Sequence, residues 1–400
     1  LNNGKSMNLS RPLFSVEEAR KRARKRLPRM IFDFIDGASG DETLRDFNTE
    51  AMDNIRLMPR ILLDVSERDT STSVLGTTAG LPFGMAPMGM CSLAWPGADM
   101  IMAREAARRR IPLCVSTASS SPLETIIERA EGHAWFQLYA DQSIEFVDEL
   151  VDKAMAADYE VLILTVDVPI PSVRARDLRN GFKVPMTWGP RQIWDLATHP
   201  GWSLAMMMHS LSHGIPRPMN YAASNHATRF VRNASRGLAD WAFLDRLRDR
   251  WKGKLVVKGV LCPEDAVRIK SMGVDGIYVS NHGGRQLNAA PPAIDALGKI
   301  RAAVGDTMPL IFDSGIRSGE HVIKALASGA DFVMLGRSVM YGLGAGGATG
   351  LSDILDLTGN EASAIMGLLG HTDIESIDRN SLASSHEHLS LRTVNRRIAE

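Results

Sequence analysis

Eight short apolar runs recur along the chain at 82–89, 111–117, 133–139, 159–167, 254–259, 273–281, 309–315 and 330–337. Between them lie segments with helical periodicity, among them 97–110, 144–157, 263–273, 292–305 and 319–329. A strand followed by a helix is a parallel βα unit, and eight such units close most economically as a (β/α)8 barrel. A doubly wound open sheet would announce a nucleotide site near its first strand. Here 84-GMAPMG-89 is neither GxGxxG nor a Walker loop, so the α/β class is expected as a TIM barrel.

The polar residues reinforce that reading. Each strand is apolar inside and ends in something chemical: Gly89, Ser116 with Thr117, Gln137 with Tyr139, Thr165 with Asp167, Lys258, Asn281 with His282, Asp313, and Arg337. In barrels the active site is built at the C-terminal face of the strands. A random scatter of polar residues would not choose the same end of eight strands. The stretch 280-SNHGGRQLN-288 leaves its strand through a glycine pair beside His282 and Arg285, where the backbone can turn sharply or approach a ligand.

Residues 168–253 separate the fourth and fifth strands, far more than a βα loop needs. The insert, about 185–235, is rich in Trp, Met, Gly and Pro and is expected as a lid or as a membrane or partner segment. The barrel should span 13–375, with helical pieces at 351–357 and 361–370 and a polar tail over 376–400, mobile past Leu382. Residues 20–29 carry seven basic side chains on a helix opened by Ser15 and Glu18, at capping-box spacing. That run reads as a solvated face or a subunit contact, since no aromatic interleaving supports nucleic acid.

Balanced charge, 46 basic against 46 acidic residues, gives no global field for nucleic acid or an acidic partner. Three cysteines without a CxxC pair point to a reducing, cytoplasmic compartment. No apolar run reaches membrane-span length, and the N-terminus lacks a signal-peptide core. No metal site is expected: 386-HEH-388 lies in the tail, and no HExxH occurs.

The last two strands lead into 313-DSGIRSG-319 and 335-LGRS-338. Gly315 and Gly336 follow the strands directly, while Arg317 and Arg337 stand where helices begin. Barrels bind phosphate in these loops, with backbone N–H groups, a helix dipole and arginine sharing the charge. A ligand held there would lie over the barrel mouth. Lys258 offers a cation to a heterocycle carbonyl, Gln137, Thr165 and Ser116 can bond a ring's edges, and Gly89 allows flat approach. Those requirements fit FMN. A flavin-free lyase or isomerase that binds a phosphorylated substrate, with Lys258 forming a Schiff base, is the rival class.

The segments 27-LPRMIFDFIDGASGDE-42, 136-FQLY-139, 164-LTVDVPIPSVRARDL-178, 256-VVKG-259, 280-SNHGGRQL-287 and 313-DSGIRSG-319 resemble the FMN-dependent α-hydroxy-acid oxidising enzymes. That family includes glycolate oxidase, L-lactate dehydrogenase and (S)-mandelate dehydrogenase, and the likeness runs in register from about residue 13 to 375. It implies oxidation of an (S)-2-hydroxy acid to the 2-oxo acid, with quinone or O2 as final electron acceptor. His282 would be the base and Asp167 would stabilise its imidazolium. Arg285 and Arg174 would clamp the carboxylate, and Tyr139 would hydrogen-bond the hydroxyl. The FMN contacts implied are Pro87, Met88, Gly89, Ser116, Gln137, Thr165, Lys258, Ser280, Asp313, Gly315, Arg317, Gly336 and Arg337. The resemblance also implies a homotetramer, and 198-THPGW-202 is similar to the membrane-associated lactate dehydrogenase branch, hence possible peripheral contact with the inner face of the cell membrane.

Three substrate-side positions depart from the common pattern. Phe34 stands where the family usually has tyrosine, so one hydrogen bond to the carboxylate is missing. Ala118 stands where glycolate oxidase has tryptophan, and Gly89 where alanine is common; the mandelate enzyme shares both small residues. A larger, less polar pocket is expected, suited to a bulky or aromatic, mandelate-like acid, with L-lactate as the alternative.

Overall fold

The computed structural model describes residues 11–140, 143–183, 189–222 and 237–383. A short antiparallel ribbon, β1 (Thr72–Val74) and β2 (Thr77–Ala79), precedes eight parallel strands. These are β3 (Phe83–Met88), β4 (Leu113–Ser116), β5 (Ala134–Tyr139), β6 (Val161–Thr165), β7 (Lys254–Val260), β8 (Gly276–Val279), β9 (Leu310–Phe312) and β10 (Phe332–Leu335). Each pairs with the next, and β10 returns to β3 with Val333 opposite Phe83, closing the barrel. All eight expected strands are present. The ribbon was not anticipated; it is too short to show a period. Its Val74 and Ala79 belong to the buried cluster inside the barrel and plug the N-terminal end.

Side chains alternate across a strand, so every second residue faces the barrel axis. Cys114, Trp135, Ile163, Val256, Tyr278 and Ile311 fill the interior as one cluster. Two positions further along the same rows stand Ser116, Gln137, Thr165, Lys258, Ser280 and Asp313, all buried. The polar strand ends therefore form one inward-facing layer at the C-terminal end. The outward rows, such as Phe136, Leu162, Val257 and Phe312, pack against the helices in a second, larger core.

Ser15 caps the helix Val16–Arg26 by accepting from the Glu18 backbone, but the Glu18 carboxylate accepts from Phe14 N rather than from Ser15, so the capping box is only half formed. Ala23 and Leu27 of this chain segment lie against Gly344, where a β-carbon would stand 2.9 Å from Leu27. On the opposite face Lys21, Arg24 and Lys25 are exposed. The two helical pieces expected at 351–357 and 361–370 are one helix, Arg337–Leu368, broken earlier, at Gly346–Gly347. The glycines that disguised its start allow close packing, and at Gly347 a β-carbon would strike Trp95.

The insert between β6 and β7 contributes helices Pro190–Ala197, Pro200–His213 and Met219–Ala222; residues 184–188 and 223–236 lie outside the described residues. It is anchored to the loops after β3 and β4: Trp202 Nε1 donates to Leu93 O (2.9 Å), and the Asn220 side chain accepts from Leu123 N (3.1 Å). None of the described helices is long and apolar enough to cross a membrane. Beyond residue 375 the chain still packs, with Ser381 buried and Ala383 N bonded to Arg56 O; the remainder of the expected tail, including 386–388, lies outside the described residues.

Candidate active site

An open cavity of about 210 Å³ sits at the C-terminal mouth of the barrel. Its wall includes Phe34, Pro87, Met88, Gly89, Ser116, Ala118, Tyr139, Arg174, Lys258, His282, Arg285, Asp313, Gly315, Arg317, Gly336 and Arg337. Four other residues expected at the site, Asp167, Gln137, Thr165 and Ser280, do not themselves line the cavity. Gln137 Nε2 donates to Thr165 Oγ1 (3.0 Å), and Ser280 Oγ donates to Asp313 while accepting from Lys258 Nζ (2.7 Å).

His282 follows β8 at a left-handed backbone position, φ 57°, and Gly283 and Gly284 continue it at 63° and 76°. A non-glycine residue held there is strained by about 1–2 kcal/mol, and the surrounding bonds hold it in place. His282 N donates to Ser280 Oγ (3.0 Å), and Ser314 Oγ accepts from Asn281 N and Gly283 N. The glycine pair is required by crowding. A β-carbon at Gly283 would lie 2.7 Å from Arg337 Nη1, and one at Gly284 would lie 2.8 Å from Arg45 N.

His282 Nδ1 lies 3.1 and 3.2 Å from the two carboxylate oxygens of Asp167. A carboxylate at Nδ1 keeps the proton on that nitrogen and leaves Nε2 as the acceptor. Burial pushes the His282 pKa below the ordinary imidazole value, against the pull of Asp167, so the ring is a neutral base at working pH. Burial alone would raise Asp167; the adjacent His282 and Lys258 outweigh it and hold the carboxyl below the usual range. Asp167 reaches this place because Gly259, at φ 102°, has no side chain. A β-carbon there would stand 2.5 Å from Asp167 Cβ.

Lys258 is buried, 2.7 Å from Ser280 Oγ and 3.5 Å from Asp313 Oδ2. Burial opposes its charge, but Asp313 and Asp167 hold its pKa above the ordinary lysine value. A Schiff-base lysine needs a neutral amine. Lys258 is the opposite, a fixed cation at the cavity floor.

On the opposite wall Ser172 Oγ donates to Arg285 O (2.6 Å) and accepts from Arg174 Nε (3.2 Å), so one hydroxyl sets both arginines. The Arg285 guanidinium lies over the Phe34 ring at 5.3 Å and donates to Phe34 O and Gly37 O. Gly89 and Ala118, expected to enlarge the pocket, are neighbours: a β-carbon on Gly89 would stand 3.0 Å from Ala118 Cβ. The two small residues clear one shared spot.

The phosphate end is short of negative charge. Burial, with Arg285 and Arg317 nearby, pushes the Arg337 pKa down to about 9. Arg337 also ties three backbone carbonyls, those of Gly283, Ile35 and Gly37. The helix it opens has no side-chain cap on Gly336. Uncapped N–H groups, a helix dipole and the half-buried Arg317 and Arg337 are the donor set of an anion site. This end fits a single phosphate, and the cationic floor with Gly89 at its edge fits a flat heterocycle; the residues present suit FMN.

Sequence reasoning did not assign roles to Gly259, Ser314, Tyr278, whose hydroxyl donates to Asp313 (2.9 Å), or Phe182, whose ring stacks on Phe34 at 4.6 Å. Gly259 and Ser314 lay within quoted motifs; Tyr278 and Phe182 carried no local signal.

The chain matches the model of a family described as FMN-dependent dehydrogenase over residues 23–384. It is 38% identical to the (S)-mandelate dehydrogenase of Pseudomonas putida, covering 94% of this chain and 95% of that one. It is 37% identical to an L-lactate dehydrogenase of Caulobacter vibrioides, over 92% and 97%. Among solved structures, the crystal structure of the monotopic membrane protein (S)-mandelate dehydrogenase superposes with a TM-score of 0.87 at 37% identity, over 93% of this chain and 100% of that one. A mandelate oxidase with (S)-2-phenylpropionate gives 0.78 at 34% identity, over 93% and 98%. With the fold, the barrel-mouth site and end-to-end likeness in agreement, the chain belongs to the FMN-dependent dehydrogenase family.

Proposed function

We propose that the protein oxidises an (S)-2-hydroxy acid bearing an aromatic or long apolar side chain to the 2-oxo acid. The observation that carries this reading is His282, backed by Asp167, lining the same cavity as Arg285, Arg174 and Tyr139. Bound FMN would supply the two-electron acceptor. Arg285 and Arg174 anchor the carboxylate, a task suited to the guanidinium fork. Tyr139 bonds the hydroxyl, and His282 Nε2 takes the proton the acid gives up. Asp167 stabilises the imidazolium as it forms. Gln137, Thr165, Ser280 and Lys258 set the floor on which the flavin ring would rest, and Pro87, Met88 and Ser116 its edge. The test is anaerobic bleaching of the visible flavin spectrum by a panel of (S)-2-hydroxy acids; no bleaching with any of them overturns the proposal.

Substrate size follows from the spot shared by Gly89 and Ala118 and from apolar Phe34. Burying a phenyl group there contributes roughly 1.5–3 kcal/mol, enough to offset a neutral hydrogen bond lost at Phe34, about 0.5–1.5 kcal/mol. Wild type should favour mandelate over lactate in kcat/KM, and Ala118→Trp should penalise mandelate selectively. A wild-type preference for lactate would instead support the lactate dehydrogenase reading.

The insert supports peripheral membrane contact. Trp194, Leu204, Met207, Met208, Leu211 and Ile215 are all exposed, and the basic residues Lys21, Arg24 and Lys25 are exposed on the first helix. An amphipathic surface of this kind lies in the headgroup region of an anionic bilayer, which would bring reduced flavin to a membrane quinone, with O2 the alternative acceptor. The exposed run Ile61–Leu63 supports a homo-oligomer, the tetramer that the resemblance implies.

A further inference from the structure

The described part of the insert, 189–222, contributes no residue to the cavity wall, yet it holds the helix that does. The helix Arg29–Asp36 is two turns long and starts after Pro28, which provides no side-chain cap. Its first two N–H groups are satisfied from far away in sequence. Asp195 accepts from Arg29 N with one carboxylate oxygen and from Met30 N with the other, each at 2.9 Å. Asp195 sits on the insert helix Pro190–Ala197, which is itself fixed by Gln192 Nε2 donating to Asn180 O (2.9 Å). The same stretch grips the helix further along: Asn180 Nδ2 donates to Asp33 (2.7 Å), and Phe182 stacks on Phe34.

The far end of this helix carries the site. Phe34 lines the cavity, Phe34 O and Gly37 O accept from Arg285, and Ile35 O and Gly37 O accept from Arg337. An isolated helix of this length does not hold itself together, so where its last carbonyls sit depends on what fixes its first turn. The span from Arg29 to Phe34 is roughly 8 Å along the axis. We infer that Asp195 is a positioning residue for the substrate-carboxylate end of the cavity, acting through the helix Arg29–Asp36 on Phe34 and Arg285. The insert thereby governs acid binding from behind the wall, through a beam anchored at both ends. The titratable neighbours of Asp195 are His199, whose Nδ1 lies 3.6 Å from Asp195 Oδ1, on the insert side and Arg29 on the helix side.

The inference rests on the proposed function only for the identity of the acid, and the experiment separates the two. Bleaching of wild type by (S)-2-hydroxy acids tests the function. Asp195→Ala and Asp195→Asn test the inference, by the Kd of phenylacetate (a non-reacting acid, read from the flavin spectrum), by KM and kcat for the best substrate, and by hydrogen exchange of amides 29–37. For Asp195→Ala we expect faster exchange through residue 37 and a Kd and KM raised about five-fold, the size of one lost helix cap. Flavin content should be kept and kcat changed less than about two-fold. Asp195→Asn, which keeps one acceptor oxygen and so one of the two bonds, should recover only part of the loss and leave Kd and KM about two-fold above wild type. The inference is overturned if Kd and KM stay at wild-type values, if faster exchange is confined to residues 29–30, or if kcat and flavin content fall together with affinity. Should Asp195→Ala fail to fold, Asp195→Asn alone decides, an unchanged Kd overturning the inference and a raised one supporting it.

Discussion

Proton transfer at His282 depends on an imidazole that burial keeps neutral and a carboxylate that fixes its tautomer. His282→Asn keeps the size and removes the base. Because the His282 ring is bonded to Asp167 and not to Arg317 or Arg337, FMN should stay bound while its reduction by substrate slows at least ~10²-fold; near wild-type reduction would remove His282 from the role. The sign of the pH dependence follows from the lowered pKa. The base is lost as pH falls through a value below about 6.5, so kcat/KM should be flat near neutrality with an acid limb below that value. An acid limb lying above 6.5 would contradict the burial argument. Residue type and position singled out His282, Arg285 and Lys258 as candidates, since a charged side chain close after or at a barrel strand's C-terminal end announces itself; Arg174 came only from the resemblance. Gly259 and Phe182 were not legible, because their roles are close approaches: Asp167 lies where a β-carbon of Gly259 would be, and Phe182 matters only through Phe34.

At the scale of elements, the insert was legible as excess length between two strands, but its place was not. A lid or a membrane or partner segment was expected, and none of the insert's described residues 189–222 lines the cavity. The reason is the set of anchors at Trp202, Asn220 and Asp195, which bind the insert to backbone atoms, and backbone atoms leave no sequence signature. Excising the whole stretch would remove those anchors, so a milder change tests the membrane proposal better. Replacing Leu204, Met207, Met208 and Leu211 by serine removes exposed apolar area, each side chain worth on the order of 1 kcal/mol of bilayer contact. Co-sedimentation with anionic vesicles should fall by more than about ten-fold, while flavin content and turnover with a soluble electron acceptor stay at wild-type values. Unchanged sedimentation would place the membrane contact elsewhere. The long helix Arg337–Leu368 was half legible for a related reason: its glycines lower helix propensity locally, and packing against the first helix overrides them.

The whole barrel is a closed ring, and at its β9 and β10 end the half-buried Arg317 and Arg337 line the mouth. The alternation that fills the interior with Cys114, Trp135 and Ile163 also delivers Ser116, Gln137 and Thr165 to the mouth, which is why the fold and the site were readable from one pattern. Around Arg337 the balance is unfavourable without an anion, since burial and two neighbouring arginines depress its pKa to about 9. FMN that binds only the folded chain stabilises it by about 2.7 kcal/mol at a hundredfold excess over Kd. Stripping the flavin should therefore lower Tm by roughly 3 °C. If the phosphate end accounts for much of that, inorganic phosphate added to the stripped protein should restore part of the loss, and chloride at equal ionic strength should not. Arg317→Met should abolish the phosphate effect and weaken FMN retention together. Equal recovery with chloride and phosphate would show that general screening, not a built anion site, relieves the charge around Arg337.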